Sequence, residues 1–168
     1  MATYRIAPQL QPTLDLRLEE ARARTDALFR LLPHESFYDR PIPERHRLIF
    51  YLGHLEAFDW NLLRSALELP ASDPELDKLF AFGIDPIDGG LPTDTRADWP
   101  TIAQVERYNR RGREALDEAL GGARASRSSS AELADGTLLH VAIEHRLMHA
   151  ETLAYLLHNL PVDRKSVV

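Results

Sequence analysis

His145 and His149 stand four residues apart in a stretch whose apolar residues recur at helical spacing. On a helix such a pair lies one turn apart on the same side. Both fall between Val141 and Thr152, within an apolar stripe. Two imidazoles facing a bundle core are costly unless they are hydrogen-bonded or ligating. Histidines at i and i+4 on a helix form a well-founded metal-binding geometry. A third ligand would come from another helix, and His54 is the best placed. It sits in the run Phe50 to Phe58, flanked at helical spacing by Tyr51 and Phe58. His140 and His158 rotate off the face of the pair, His46 has charged neighbours, and His34 falls in a loop. Those four read as surface histidines. A buried, hydrogen-bonded histidine pair is the alternative account of the same residues.

Three neutral histidines leave at least one coordination position open, as catalytic zinc sites do. An ion there can lower the pKa of a bound water to about 7, and it stabilises a bound thiolate. Imidazole suits Zn, Fe, Ni and Cu alike, so the ligand type does not choose among them. The chain has no cysteine, which removes thiolate ligands and cysteine nucleophiles together. Four polar residues are candidates for a supporting or substrate-binding role. Thr152 is one turn past His149, Asn61 is two turns beyond His54, Tyr108 interrupts the inward stripe of its helix, and Glu151 could orient ligands from off the histidine face. Asp59 lies inside an apolar stripe and is expected to pair across the bundle.

Four long helices must position these groups. The first runs from about Thr13 to Leu32, with Leu14, Leu18, Ala21, Thr25, Leu28, Phe29 and Leu32 on its inner face and Pro33 beyond it. The second runs from about Pro43 to Leu69, lined by Leu48, Leu52, Leu55, Leu62 and Ala66 and closed by Pro70. The third runs from Pro100 or Thr101 to Leu120, where Gly121-Gly122 stops it. The fourth runs from about Ala131 to Asn159, lined by Leu138, Val141, Ala142, Met148, Thr152 and Leu156. Residues 70–100 carry five prolines and form an irregular crossover, with a short helical turn over Asp77 to Phe82. Residues 121–130 are rich in Gly, Ser and Arg and read as a flexible linker. Period-two strand patterns are absent. The fold class is therefore all-α, a four-helix bundle with a long crossover loop between helices two and three.

Composition narrows the function classes. The 168 residues fit a single domain over 1–168. Lys plus Arg is 20 and Asp plus Glu is 26, a net charge of −6. That balance argues against nucleic acid or acidic lipid as a partner. No stretch approaches the ~20 apolar residues of a membrane span, and no apolar run follows the polar start as in a secretory signal. A cytoplasmic location is expected. Apolar helix edges in such bundles make a homodimer the expected assembly.

The same residues resemble a known family. His145-Arg146-Leu147-Met148-His149-Ala150-Glu151-Thr152-Leu153, followed by Tyr155 and Leu160-Pro161, is similar to the last helix of the DinB-like superfamily. It is most similar to the amino-terminal domain of ergothioneine-biosynthesis sulfoxide synthases, where the string is His-Glu-x-x-His-x-Glu-Thr-Leu. Leu52-Gly53-His54-Leu55 with Phe58 resembles the Leu-Gly-His segment of that branch. Further likeness covers Ala21 to Thr25, Leu79-Phe80, Trp99-Pro100-Thr101 and Val105 to Tyr108, so it extends from about Arg22 to Pro161. The resemblance implies a DinB-like four-helix bundle holding one divalent metal (Fe, Zn or Ni) on His54, His145 and His149. It implies a metal-dependent enzyme for a small, thiol-bearing substrate, acting by thiol transfer, hydrolysis or iron-dependent oxidation. The alternative is a non-catalytic metal-binding or interaction module that works with a separate partner chain. Two departures stand out. Arg146 replaces the usual Glu, which excludes a zincin-type protease. The sequence also ends at Val168, short of the large carboxy-terminal domain of that branch, so full sulfoxide-synthase activity is not expected of this chain alone.

Overall fold

The computed structural model describes residues 13–84, 90–126 and 131–165. Among the described residues the α-helices are α1 (Leu14–Phe29), α2 (Leu48–Leu63), α3 (Pro74–Phe82), α4 (Ile102–Ser126), α5 (Ala131–Ala134) and α6 (Thr137–Asn159). Among the described residues there are also short 3-10 turns at His34–Tyr38, Arg96–Asp98 and Val162–Arg164. Among the described residues there is no strand, so the all-α expectation holds. No described helix is long and apolar enough to cross a membrane.

Packing follows the apolar stripes. α1 lies against α6, while α2 is sandwiched by α3, α4 and α6. α2 is accordingly buried on most sides, through Leu48, Ile49, Phe50, Tyr51, Leu55, Ala57, Trp60 and Leu63. The buried apolar residues form two clusters. One joins Phe29, Phe50, Leu55, Phe80, Trp99, Val105, Leu153 and Leu156. The other joins Leu18, Ala21, Trp60, Leu63, Leu116, Leu139 and Ile143.

Several boundaries differ from those read in the sequence. α1 ends at Phe29, three residues before Leu32. α2 starts at Leu48 and not Pro43, with Arg47 as its N-cap in an extended backbone conformation (ψ 155°). The Arg47 Nε donates to Asp94 Oδ2 at 2.8 Å. α2 also stops at Leu63 and not Leu69, and Glu68 just beyond it takes a φ of 56°. Inside the crossover, α3 is a nine-residue helix capped by Asp73, whose Oδ1 accepts from the Leu76 amide at 3.1 Å. The reciprocal bonds between Thr101 and Gln104 cap α4. Gly121 and Gly122 do not stop α4, which continues to Ser126. Extending an already formed helix is cheap compared with nucleating one, so two glycines near its end slow it without breaking it. Only residues 127–130 of the expected 121–130 linker lie outside the described residues. The expected helix from Ala131 is split into α5 and α6 at Gly136, whose φ of 81° is a left-handed conformation.

Candidate metal centre

α2 contributes His54, and α6 contributes His145 and His149. Their ring centres are 5.0 Å apart for His54–His145, 4.9 Å for His54–His149 and 4.5 Å for His145–His149. One nitrogen from each ring lies within 4.8 Å of the others, and among the described residues this is the one cluster of potential ligands of its kind. All three side chains are half-buried.

Aromatic walls fix the rings. Phe58 stacks on His145 with ring centres 3.4 Å apart and planes 9° from parallel. Phe50 stacks on His54 at 4.7 Å, and Tyr51 lies 5.8 Å from His149. The Nδ1–H of His54 donates to the Phe80 carbonyl of α3 at 2.6 Å. A carbonyl can only accept, so this bond places the proton on Nδ1 and leaves Nε2 with its lone pair. Metal-binding histidines are typically oriented by such a bond.

The other two rings answer the alternative raised by the sequence. Nδ1 of His145 and Nδ1 of His149 are buried and have no hydrogen-bond partner, so the pair is not held by internal hydrogen bonds at those atoms. Burial first, then the neighbouring histidines and Arg146, hold the His145 pKa down to about 3. Burial, His54 and Arg45 hold His149 down to about 4. Burial also lowers His54, against the opposing pull of the Phe80 bond. The three rings are therefore neutral near pH 7, the state a metal requires of them. The donor set fits a divalent cation.

The remaining candidates make hydrogen bonds to groups other than the histidines or are exposed. The Thr152 hydroxyl donates to the Met148 carbonyl of its own helix at 3.2 Å. Asn61 Nδ2 donates to the Asp77 carbonyl at 3.4 Å, and the Tyr108 hydroxyl donates to Asp77 Oδ1 at 2.8 Å. Those two residues tether α3. Glu151 is exposed. His34, His140 and His158 are exposed as expected, but His46 is half-buried and packs on Phe50 with ring centres 4.1 Å apart.

The inner face of α6 is also not the one the sequence suggested. Val141 and Met148 are 41% and 51% exposed, while Leu139, Ala142, Ile143, Arg146, Leu153, Leu156 and Leu157 are buried. The histidines flank this stripe, and Arg146 is its centre. Arg146 is 0% exposed. Its guanidinium meets Asp59 Oδ2 at 2.7 Å and Glu56 Oε2 at 2.9 Å, both on α2. Glu56 also accepts from Arg113, which holds Asp26 of α1 at 2.8 Å. Buried Arg22 reaches Asp117 at 2.6 Å and lies 3.8 Å from Asp59. Burial pushes the Glu56 carboxyl up, but Arg146 and Arg113 outweigh it and hold the pKa at about 2. For Asp59 burial wins and the pKa is raised. Along α1, α2, α4 and α6 these charges fall between the two apolar clusters and separate them. The sequence offered two signals for this layer: Glu56 and Asp59 inside an apolar helix, and a cation beside His145.

Comparison with known proteins follows this geometry. The family model of the DinB superfamily matches residues 17–153. The Neurospora crassa protein named "Ergothioneine biosynthesis protein 1" is 33% identical over 154 residues, covering 87% of this chain and 17% of that protein. The Schizosaccharomyces pombe protein of the same name is 29% identical over 173 residues, covering 92% of this chain and 22% of that protein. The chain thus spans less than a quarter of the length of these two relatives.

Proposed function

The chain belongs to the DinB superfamily, and on that premise we propose that it is a metal-dependent enzyme acting on a small, thiol-type substrate through His54, His145 and His149. The observation that carries the reading is the convergence of three neutral imidazoles from α2 and α6, with their nitrogens within 4.8 Å. The single divalent ion is Fe, Zn or Ni. Such an ion supplies an acidified water or a stabilised thiolate. The chain's own contribution is to hold the three rings neutral, to fix His54 through Phe80, and to wall them with Phe50, Tyr51 and Phe58. The names of the two relatives support a small-molecule substrate. A cytoplasmic homodimer belongs to the same proposal, with exposed Leu16, Val141 and Met148 as the supporting apolar edges.

The test is metal per chain in protein purified without a histidine tag. We expect His54→Ala, His145→Ala and His149→Ala each to lose most of the ion, and His140→Ala and His158→Ala to keep it. Retention of a full complement by folded His54→Ala would remove the three-histidine centre. The second reading is a non-catalytic metal-binding or interaction module that works with a separate partner chain. Turnover of a thiol by the metal-loaded chain alone separates the two readings.

A further inference from the structure

Arg107, Arg110, Arg111 and Arg113 crowd one stretch of α4, and the structure gives them different surroundings. Arg113 is committed to Asp26 and Glu56. Arg110 lines a cavity together with Glu106 and Glu114, the acids one turn to either side of it. Arg107 and Arg111 line a different cavity, of about 190 Å³, formed by α4 and the start of α3. Both are exposed, and among the described residues neither forms an ion pair.

The chemistry of this second cavity is that of a donor set. Arg107 and Arg111 are four residues apart, so they stand one turn apart on the same side of α4, a spacing at which like charges repel. The acid among the lining residues, Asp73, is engaged elsewhere. Its Oδ1 accepts from the Leu76 amide at 3.1 Å as the N-cap of α3, where the positive end of the helix dipole offsets its charge. Gln104 Oε1 accepts from the Thr101 amide at 2.8 Å and from the Thr101 hydroxyl at 2.7 Å, which leaves the Gln104 Nε2–H groups to donate. Ser72 adds a hydroxyl. The Tyr108 hydroxyl is held by Asp77 Oδ1 at 2.8 Å, so Tyr108 and Leu76 serve the cavity as its apolar wall.

Two guanidiniums, an amide donor and a hydroxyl suit an oxyanion. A guanidinium meets phosphate through paired N–H donors. Two cations match the two negative charges of a phosphate group, whereas a carboxylate carries one. The volume lies below the roughly 300–1,000 Å³ of sites that enclose drug-sized ligands, so the cavity fits an anionic group and not a whole large molecule.

We propose that the cavity between α3 and α4 is a phosphate-binding site, in which Arg107 and Arg111 grip the oxygens and Gln104 and Ser72 complete the donors. The ligand is phosphate or a small molecule that carries it. None of these residues belongs to the three-histidine cluster, so the site stands or falls independently of the metal centre.

The experiment is calorimetry on the full chain at pH 8 and fixed ionic strength, with inorganic phosphate, glycerol 3-phosphate and acetate as probes. We expect both phosphates to bind about tenfold more tightly than acetate. Which phosphate binds better tells a free ion from an ester, and either order supports the site. Arg107→Gln and Arg111→Gln should each weaken phosphate binding about tenfold, the size of one charge-assisted contact. The double variant should abolish it with helicity unchanged. Arg110→Gln makes the same change in net charge on the other cavity and should bind phosphate as the wild type does. A wild type that binds neither phosphate, or binds acetate as tightly, overturns the proposal. So does a double variant that still binds, which would place the anion elsewhere, the histidine centre included. Equal weakening in Arg110→Gln would reduce the effect to diffuse charge and overturn it as well.

Discussion

The imidazole of His54 is anchored by the backbone of Phe80: its Nδ1–H donates to the Phe80 carbonyl at 2.6 Å, across the contact between α2 and α3. Gly53 makes that contact close. A Cβ added at Gly53 would run into the Phe80 ring. The short helix inside the crossover is therefore what aims one of the three rings.

Gly53→Ala tests this coupling, because its two effects on stability have opposite signs. Alanine improves α2 by about 1 kcal/mol of helix propensity. Overpacking against Phe80 costs about 1–3 kcal/mol and pushes α3 outward. The expected outcome is a small net change in thermal stability with a loss of metal affinity of about tenfold or more, the usual cost of losing an orienting partner. Unchanged affinity in the folded variant would show that His54 does not depend on α3.

Arg146 gives a second prediction. It is fully buried between Glu56 and Asp59, and removing one partner of a buried charge group leaves the others uncompensated. Arg146→Met should cost about 3–5 kcal/mol, a drop of roughly 6–20 °C in melting temperature for a domain of this size. Arg146→Glu should be worse, since it sets a third acid against the first two. Adding Asp59→Leu and Glu56→Gln to Arg146→Met should recover much of the loss, because buried ion groups replaced together by apolar or neutral ones are often tolerated. Melting curves of the four proteins check this. Equal stability of Arg146→Met and wild type would mean the charge layer holds nothing together.

The histidine cluster was legible in the sequence because its signal is local: a four-residue spacing on one helix and one histidine in an aromatic run on another. The inner face of α1 was legible for the same reason through Leu18, Ala21, Thr25 and Phe29, whereas of the stripe read for α2 only Leu48 and Leu55 are buried and Leu52, Leu62 and Ala66 are half-buried. The pairing of Asp59 across the bundle was legible, but Arg146 as its partner was not, because arginine at a core position makes sense only with acids 87 and 90 residues earlier in the chain. Periodicity instead placed Val141 and Met148 inside, whereas both are exposed. The start of α2 was missed for a related reason. Arg47 takes an extended backbone at the N-cap, and its side chain pairs with Asp94 in the crossover; no local pattern near Pro43 records either. Gly136 ends α5 through a positive φ, which the run of helix formers around it conceals.

Asp94 carries a pH prediction. Its side chain is 1% exposed and accepts from the Trp99 indole at 2.7 Å, from Arg47 at 2.8 Å and from Arg40. Burial alone would raise its pKa, but the Trp99 and Arg47 bonds and the charges of Arg40 and Arg47 outweigh it and set it below 3.8. A carboxyl with a lowered folded pKa contributes stability that is present above its unfolded value, about pH 4, and is lost as pH falls through the folded value. The stability difference between wild type and Asp94→Asn should therefore be largest at pH 6 and shrink toward pH 3. Urea unfolding of both proteins across that range is the measurement. A constant difference would mean that the carboxylate's charge does not hold the crossover.

Metal removal should leave the fold standing. Neither apolar cluster contains His54, His145 or His149, and a chain of this size buries a core without help from an ion. Chelator treatment is therefore expected to preserve helicity in the far ultraviolet. Binding nevertheless stabilises, because the ion links α2 to α6 in the folded state and finds no such site in the unfolded chain. Free zinc at a hundred times its dissociation constant adds about 2.7 kcal/mol, which is roughly 5–11 °C in melting temperature for a domain of this length. That rise should be nearly absent in His149→Ala and undiminished in His140→Ala. Loss of helicity on chelation would make the ion a folding requirement, and an equal rise in all three proteins would place zinc somewhere other than the three histidines.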